Sequence, residues 1–274
     1  MKRIKLIFIY FLLGTIIFAQ EGYIASFNTL RLGKSQKDYL LTAEALEMFD
    51  ITGLIEVMDV EGVEKLVNAL DKVSGEKWDY HISPYPVGNT SYKEYFAYVW
   101  KKNKVKFLGE KGFYKDTEGK FSRTPYGADF KIDKFDFTFV LVHSIFGKNE
   151  SARRAEAFKM NEVYDYFQDI DSQENDIIIA GDFNLSAFDE SFEKLLSHPD
   201  KIIYALSPVI KTTLGKKNLA NSYDNMFISK IHTKEFAGKS GALDFTQGQY
   251  RLMKEKISDH LPIFIVVEVS DDDD

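Results

Sequence analysis

The chain has no cysteine. That excludes disulfides, and it excludes lipid attachment through a cysteine near the N-terminus. An exported protein without disulfides must rely on its core or on bound metal for stability. Proline is sparse, with six in 274 residues, and no Pro/Ser-rich linker or internal repeat divides the sequence. Basic residues are in deficit: 35 Lys and Arg against 42 Asp and Glu give a formal net charge of −7. Broad non-specific affinity for nucleic acid rests on counterion release by Lys and Arg, so this balance argues against it. A local basic contact strip remains compatible with it. No apolar run has comfortable membrane-spanning length either; Leu6–Ala19 is short for a span.

What is present begins with that run. The opening MKRIKLIFIYFLLGTIIFAQ carries three basic residues, an apolar stretch and a small residue at Ala19. This is the anatomy of a secretory signal peptide over residues 1–19, its rival being an uncleaved anchor. The expectation is cleavage near Ala19 and a secreted or periplasmic protein with no membrane span thereafter. With 45 % hydrophobic and 15 % aromatic residues, the remainder can bury one large core. A single domain is expected over 20–270, followed by a solvated acidic tail, Asp271–Asp274.

The most informative stretch is Asp176–Asn184, DIIIAGDFN. A β-branched apolar run of this length reads as a buried, parallel strand. Gly181 then permits a turn, and Asp182 and Asn184 emerge at the strand's C-terminal end, where open α/β sheets place their ligands. The pattern repeats. Phe139–His143 ends in His143, Ile51–Glu56 in Glu56 and Ile24–Asn28 in Asn28, while Ser258-Asp259-His260 stands before Leu261–Val269. Apolar runs that each deliver a carboxylate, amide or imidazole at one end supply a site that a core does not need.

The remaining pattern predicts strands over Asp79–Ser83, Glu94–Trp100, Val105–Leu108, Ala128–Ile132, Phe135–His143 (the whole strand that ends in His143) and Tyr223–Ser229. Helices are expected near Gln36–Met48, Glu61–Val73, Ser151–Phe167 and Asp189–Leu196. Strands dominate and helices intervene in pairs, which implies two packed sheets covered by helices. Trp78 and Trp100 read as core aromatics. His81, His198 and His232 lack acidic or strand-end context in the sequence and read as surface or loop residues.

Taken in order, the segments SFNTLRLG (26–33), GLIEV (53–57), SYKEYFAYVW (91–100), FSRTP (121–125), LVHS (141–144), AGDFN (180–184), SYDNMFI (222–228) and ISDHLPI (257–263) resemble the endonuclease/exonuclease/phosphatase superfamily. SYKE and FSRTP resemble its deoxyribonuclease I branch more narrowly. The resemblance implies a four-layer α/β sandwich, two packed mixed sheets flanked by helices, and metal-dependent hydrolysis of phosphodiesters. It implies Glu56 as principal metal ligand with Asn28 and Asp259 nearby, and the pairs His143–Glu94 and His260–Asp224. Asp182 and Asn184 would meet the scissile phosphate and attacking water, and Arg123 and Tyr92 would contact DNA or phosphate.

That set has its own chemical logic. In-line attack needs a deprotonated water, charge neutralisation and a proton for the departing 3′ oxygen. Carboxylates suit Mg²⁺ or Mn²⁺, and imidazoles steadied by carboxylates can move protons. His260 with Asp224 is favoured on the water side and His143 with Glu94 on the leaving-group side. Asp182 as base, with His260 on the phosphate, stays open. Two departures qualify the likeness. Met58 stands where the branch has an Arg after its Glu-Val, and Lys211 stands where a calcium-loop Asp is expected, so Ca²⁺ is not expected to stabilise this chain. The expectation is a secreted monomeric endodeoxyribonuclease of low sequence specificity, leaving 5′-phosphate and 3′-hydroxyl ends. Its rivals are a phospholipid or phosphoinositide phosphodiesterase and a toxin-like binding subunit with a nuclease fold.

Overall fold

A computed structural model describes residues 20–89, 92–147, 150–171 and 173–272. The expected signal segment and its cleavage point lie outside them, as do Asp273 and Asp274. Among the described residues no helix is long and apolar enough to cross a membrane.

The N-terminal half contains β1 (Glu21–Leu32), α1 (Tyr39–Leu46), β2 (Ile51–Val57), α2 (Val60–Ser74), β3 (Trp78–Ile82), β4 (Val87–Asn89) and β5 (Tyr92–Lys101). After it come β6 (Val105–Phe113), β7 (Tyr126–Ile132), β8 (Phe135–His143), α3 (Glu150–Ala157), α4 (Met160–Ile170) and β9 (Ile177–Asp182). The chain closes with α5 (Glu193–Leu196), β10 (Ile202–Tyr204), β11 (Asp224–Ser229), β12 (Phe236–Ala242), α6 (Tyr250–Lys256) and β13 (Ile263–Glu268). The strands form two mixed sheets. One runs β12-β13-β1-β2-β5-β3 with β4 on β5, and the other β10-β11-β9-β8-β7-β6.

Strand periodicity explains the layering. In β8, Phe137, Phe139 and Leu141 face the other sheet, while Val140 and Val142 face the helices; in β9, Ile178 and Ala180 point inward and Ile177 and Ile179 outward. In β5, Phe96, Tyr98 and Trp100 point inward and Ala97 and Val99 outward. Side chains alternate faces at every residue, so each strand feeds both a central aromatic core and an outer helix-covered core. Gly53 lets the sheets approach: a Cβ there would lie 2.4 Å from Leu141 Cδ2. The α1–α2 pair covers the first sheet, and α4 with α5 covers the second. The result is the four-layer sandwich, two mixed sheets flanked by helices.

Differences from expectation are local. The helix expected over Ser151–Phe167 is two helices with a break at Phe158–Lys159, and β4, β10, β12 and α6 lay outside the sequence reading. The apolar run around Ile177 is a parallel strand only towards β8; its other neighbour, β11, is antiparallel.

Candidate active site

Sheet register builds half of the site directly. His143 at the end of β8 pairs with Asp182 at the end of β9, and Asp182 pairs with Asp224 at the start of β11. Laterally paired residues share a face, so an imidazole and two carboxylates stand side by side. Gly181 makes this possible, though as a point of close backbone approach and not as the turn itself. It lies within β9 at φ +151°, and a Cβ there would sit 1.8 Å from the Val142 carbonyl oxygen. Asn184 follows in the left-handed region (φ +52°). Its N–H donates to Asp182 Oδ1 at 2.9 Å, and its amide Nδ2 donates to the Ser144 carbonyl at 2.8 Å. Asp182 and Asn184 are therefore joined by a turn and not by extended alternation.

The first sheet supplies the rest through two bulges. Register slips between Asn28 and Leu32 in β1 and between Leu54 and Val57 in β2. Leu30, Arg31 and Glu56 all have positive φ (+48°, +62° and +58°). Leu54 and Val57, three residues apart, consequently pack on the same outer core. Regular alternation is broken at Glu56, whose carboxylate is released from the sheet into the cavity. Left-handed backbone in a non-glycine residue costs about 1 kcal/mol or more and gathers at functional sites.

Around Asp182 the groups converge. Its Oδ2 lies 3.8 Å from His143 Nε2 and 3.6 Å from His260 Nε2, and accepts from Asn28 Nδ2 at 3.2 Å. His143 Nδ1 meets Glu94 Oε1 at 2.6 Å, and His260 Nδ1 meets Asp224 Oδ2 at 2.8 Å. Both expected pairs are present. Thr212 fixes the second, its hydroxyl donating to Asp224 Oδ2 at 2.6 Å. Glu56 Oε1 accepts from Asn28 Nδ2 at 3.1 Å and lies 3.9 Å from His143 Nε2; its Oε2 accepts from the Tyr92 hydroxyl at 2.9 Å. Arg123 Nε stands 3.0 Å from Glu94 Oε2, a charge contact without hydrogen-bond alignment.

The electrostatics follow from burial and pairing. Burial opposes a charged imidazole, but the Asp224 and Asp182 carboxylates outweigh it and push His260 up to about 10. Burial likewise opposes charge on His143, and Glu94 overrides it to raise that group too. Glu94, though wholly buried, is held below the usual carboxylate range by His143 and Arg123. Burial and the neighbouring Asp224 raise Asp182 against the pull of both imidazoles. Tyr92 is pushed well up by burial and by Glu56, so it stays a neutral donor.

These groups line one cavity of about 610 Å³, into which Glu56, Tyr92, Arg123, His143, Asp182 and His260 all project. Glu56 and His260 share it. Asp259 also lines it, although its carboxylate engages Lys254 at 2.9 Å and not Glu56 or Asn28. Asn28 acts between carboxylates: its Nδ2 bridges Glu56 and Asp182, and its Oδ1 accepts from the Leu30 N–H at 3.0 Å.

Glu56 and Asp182 are hard oxygen donors. The hydrogen bonds that reach their carboxylates come from neutral groups: the Asn28 amide, which serves both, the Tyr92 phenol and the Asn184 backbone N–H. Three carboxylates, Glu56, Asp182 and Asp259, line the cavity, and the neutral donors around Glu56 leave it free to accept a hard cation. Asp182, Asp224 and His260 also bring ligand atoms within 4.8 Å of one another. That cluster is an imidazole between two carboxylates, an arrangement that holds a proton.

Several contributors were not legible in the sequence. Arg31 joins the expected Arg123 on the Tyr92 ring, each guanidinium 5.5 Å from its centroid. Arg31, Lys34 and Lys93 border a basic side cleft beside Met58. Lys37 donates to the Ile257 carbonyl, and burial lowers its pKa to about 8 against the pull of Asp259 and Glu56. Of the other three histidines, His198 and His232 stand in loops, as expected, and His81 departs from expectation. His81 is a strand residue, bonded to the Tyr126 hydroxyl at 2.6 Å. His198 meets Asp165 at 2.9 Å, and His232 lies 3.5 Å from Asp200. Their acidic context comes from distant positions in the chain, and none of them lines this cavity.

No family model matches the chain. A deoxyribonuclease of Thioalkalivibrio sp. (strain K90mix) is 27 % identical over 258 residues, covering 89 % of this chain and 70 % of that protein. Deoxyribonuclease-1 of Bos taurus is 26 % identical over 268 residues, covering 89 % and 91 %. Among solved structures, an endonuclease/exonuclease/phosphatase family protein of Bacteroides thetaiotaomicron superposes with a TM-score of 0.63 at 17 % identity, covering 90 % of this chain and 98 % of that one. The resemblance to the deoxyribonuclease I-like branch thus holds in sequence, and the superfamily's fold holds in structure. Together they support a hydrolase of this superfamily, and within it a nuclease.

Proposed function

We propose that the chain is an exported, divalent-metal-dependent endodeoxyribonuclease that hydrolyses DNA phosphodiesters with low sequence specificity. The observation that carries this reading is the convergence of two imidazole–carboxylate pairs on Asp182, with Glu56 in reach of one of them. The alignment with deoxyribonucleases over most of the chain supports DNA as the substrate. Export rests on the opening segment, whose composition is that of a signal peptide.

Glu56 would hold Mg²⁺ or Mn²⁺, with Asp259 at the edge of the cavity; when bound, the ion would neutralise phosphate charge and acidify water. The chain's own residues divide the remaining work. Asp182, its pKa raised by burial, takes the proton of the attacking water at Oδ2. His260, kept cationic by Asp224, donates from Nε2 to a phosphate oxygen. His143, kept cationic by Glu94, gives its Nε2 proton to the departing 3′ oxygen. Electrostatics tip the open choice this way, because an imidazole with a pKa near 10 is a poor base at neutral pH. Arg123, stacked on Tyr92, adds positive charge beside Glu94.

The test is nicking of supercoiled plasmid by purified protein with Mg²⁺, set against His260→Ala. Wild type is expected to produce open-circular and then linear DNA, and the variant to be slower by about 10²-fold or more. Intact plasmid alongside release of phosphocholine or inorganic phosphate from lipid substrates would overturn the assignment.

A further inference from the structure

Beside the reacting groups stands a side chain that the mechanism does not use. Phe146, three residues beyond His143, lines the same cavity and is 66 % exposed. A lone exposed phenylalanine is ordinary, but this one is fixed in place. The Arg153 guanidinium lies 5.1 Å from its ring centroid. Arg153 is itself anchored, its Nη1 donating to the Asn184 carbonyl at 3.1 Å and its Nη2 to the Gly147 carbonyl at 3.2 Å. The segment leading to Phe146 is pinned as well: Ser144 N–H donates to the Asp182 carbonyl at 2.9 Å, and Ile145 N–H to the buried Glu156 carboxylate at 2.9 Å. An aromatic ring is thus held in water at the mouth of a polar, charged cavity. It is tied through Arg153 to Asn184 and through Ser144 to Asp182.

We propose that Phe146, backed by Arg153, is a stacking platform for a nucleobase adjacent to the scissile phosphate. The inference rests on the nuclease reading above and adds a specificity-determining residue to it. A planar base offers what the ring lacks, a π-face to cover it, and base–aromatic stacking tolerates any sequence. Arg153 beneath the ring strengthens the platform by cation–π attraction and places positive charge near the backbone. A base can lie on Phe146 only when it leaves its own stack, so single-stranded or frayed DNA is the favoured substrate.

The experiment uses the full chain with single-stranded oligonucleotides, either intact or carrying one abasic residue at each position flanking the cleaved bond. Wild type is expected to lose about 10-fold in kcat/KM when one flanking base is removed. Phe146→Ala is expected to lose about 10-fold on the intact strand and to ignore base removal, and Phe146→Trp to restore both the rate and its sensitivity. A binding readout free of metal accompanies it: quenching of a 2-aminopurine oligonucleotide in chelator, present in wild type and absent in Phe146→Ala. Equal loss by Phe146→Ala on intact and abasic strands, or full activity and quenching in that variant, would overturn the platform and leave the nuclease reading standing. Absence of DNA cleavage by wild type would overturn both.

Discussion

Asn28 shows how much one side chain arranges at the residue scale. Its amide holds the Glu56 and Asp182 carboxylates at 3.1 and 3.2 Å, keeping two like charges at a fixed separation. Glu94 does comparable work from a fully buried position, where it steadies His143 and faces Arg123. Glu94→Gln is expected to lower kcat by about 10²-fold with a small change in KM, measured on plasmid or oligonucleotide. An unchanged kcat would remove His143 from proton transfer. The second pair makes a pH-dependent contribution to stability. His260 rises from its ordinary value of 6.5 to about 10. The folded state therefore binds its proton more tightly than the unfolded state does. The stabilisation is full below about pH 6.5 and disappears as pH climbs through 10. In chelator, the Tm advantage of wild type over His260→Gln is expected to shrink between pH 6 and pH 10. A constant gap would contradict the pairing.

Two elements carry the geometry: the β8–β9–β11 register and the bulges in β1 and β2. Gly181→Ala puts a Cβ against the Val142 carbonyl at a φ that L residues rarely adopt. It is expected to destabilise the protein by about 3 kcal/mol or more, read by denaturant unfolding. Glu56→Gly should act in the opposite sense. It relieves a left-handed backbone and removes a carboxylate from a crowded acidic site, so metal-free stability should hold or rise by about 1 kcal/mol while activity is lost. A clear fall in stability would mean that Glu56 is kept for structure. These elements also show where sequence is readable. The bounds expected for β8, Phe135–His143, are the observed ones, because a long alternating run ending in a polar residue is a strong signal. The bulges were hidden, since neither Arg31 nor Glu56 is a glycine that would announce positive φ. β12, FAGKSGA, has too little hydrophobic alternation to be seen, and the α3–α4 break has no proline or glycine to mark it.

Across the whole molecule, an acidic chain confines its cationic groups near the site to a few positions: Arg31, Arg123, Lys34 and Lys93 around Tyr92, Lys254 and Lys37 beside Asp259, and Arg153 beneath Phe146. The acids and imidazoles of the site were legible because each closes or opens an apolar strand, and strand ends gather at one edge of a sheet. The arginine–aromatic stacks were not, because they join residues with no pattern between them. The central claim is that these distant residues form one metal-dependent centre acting on DNA. Its most direct measurement is the rate of plasmid nicking against Mg²⁺ concentration, for wild type and Glu56→Gln. Wild type is expected to saturate with Mg²⁺ and to stop in chelator, and Glu56→Gln to need about 10-fold or more Mg²⁺ for a lower maximum. Nicking indifferent to chelator, or the same Mg²⁺ curve for both proteins, would contradict it.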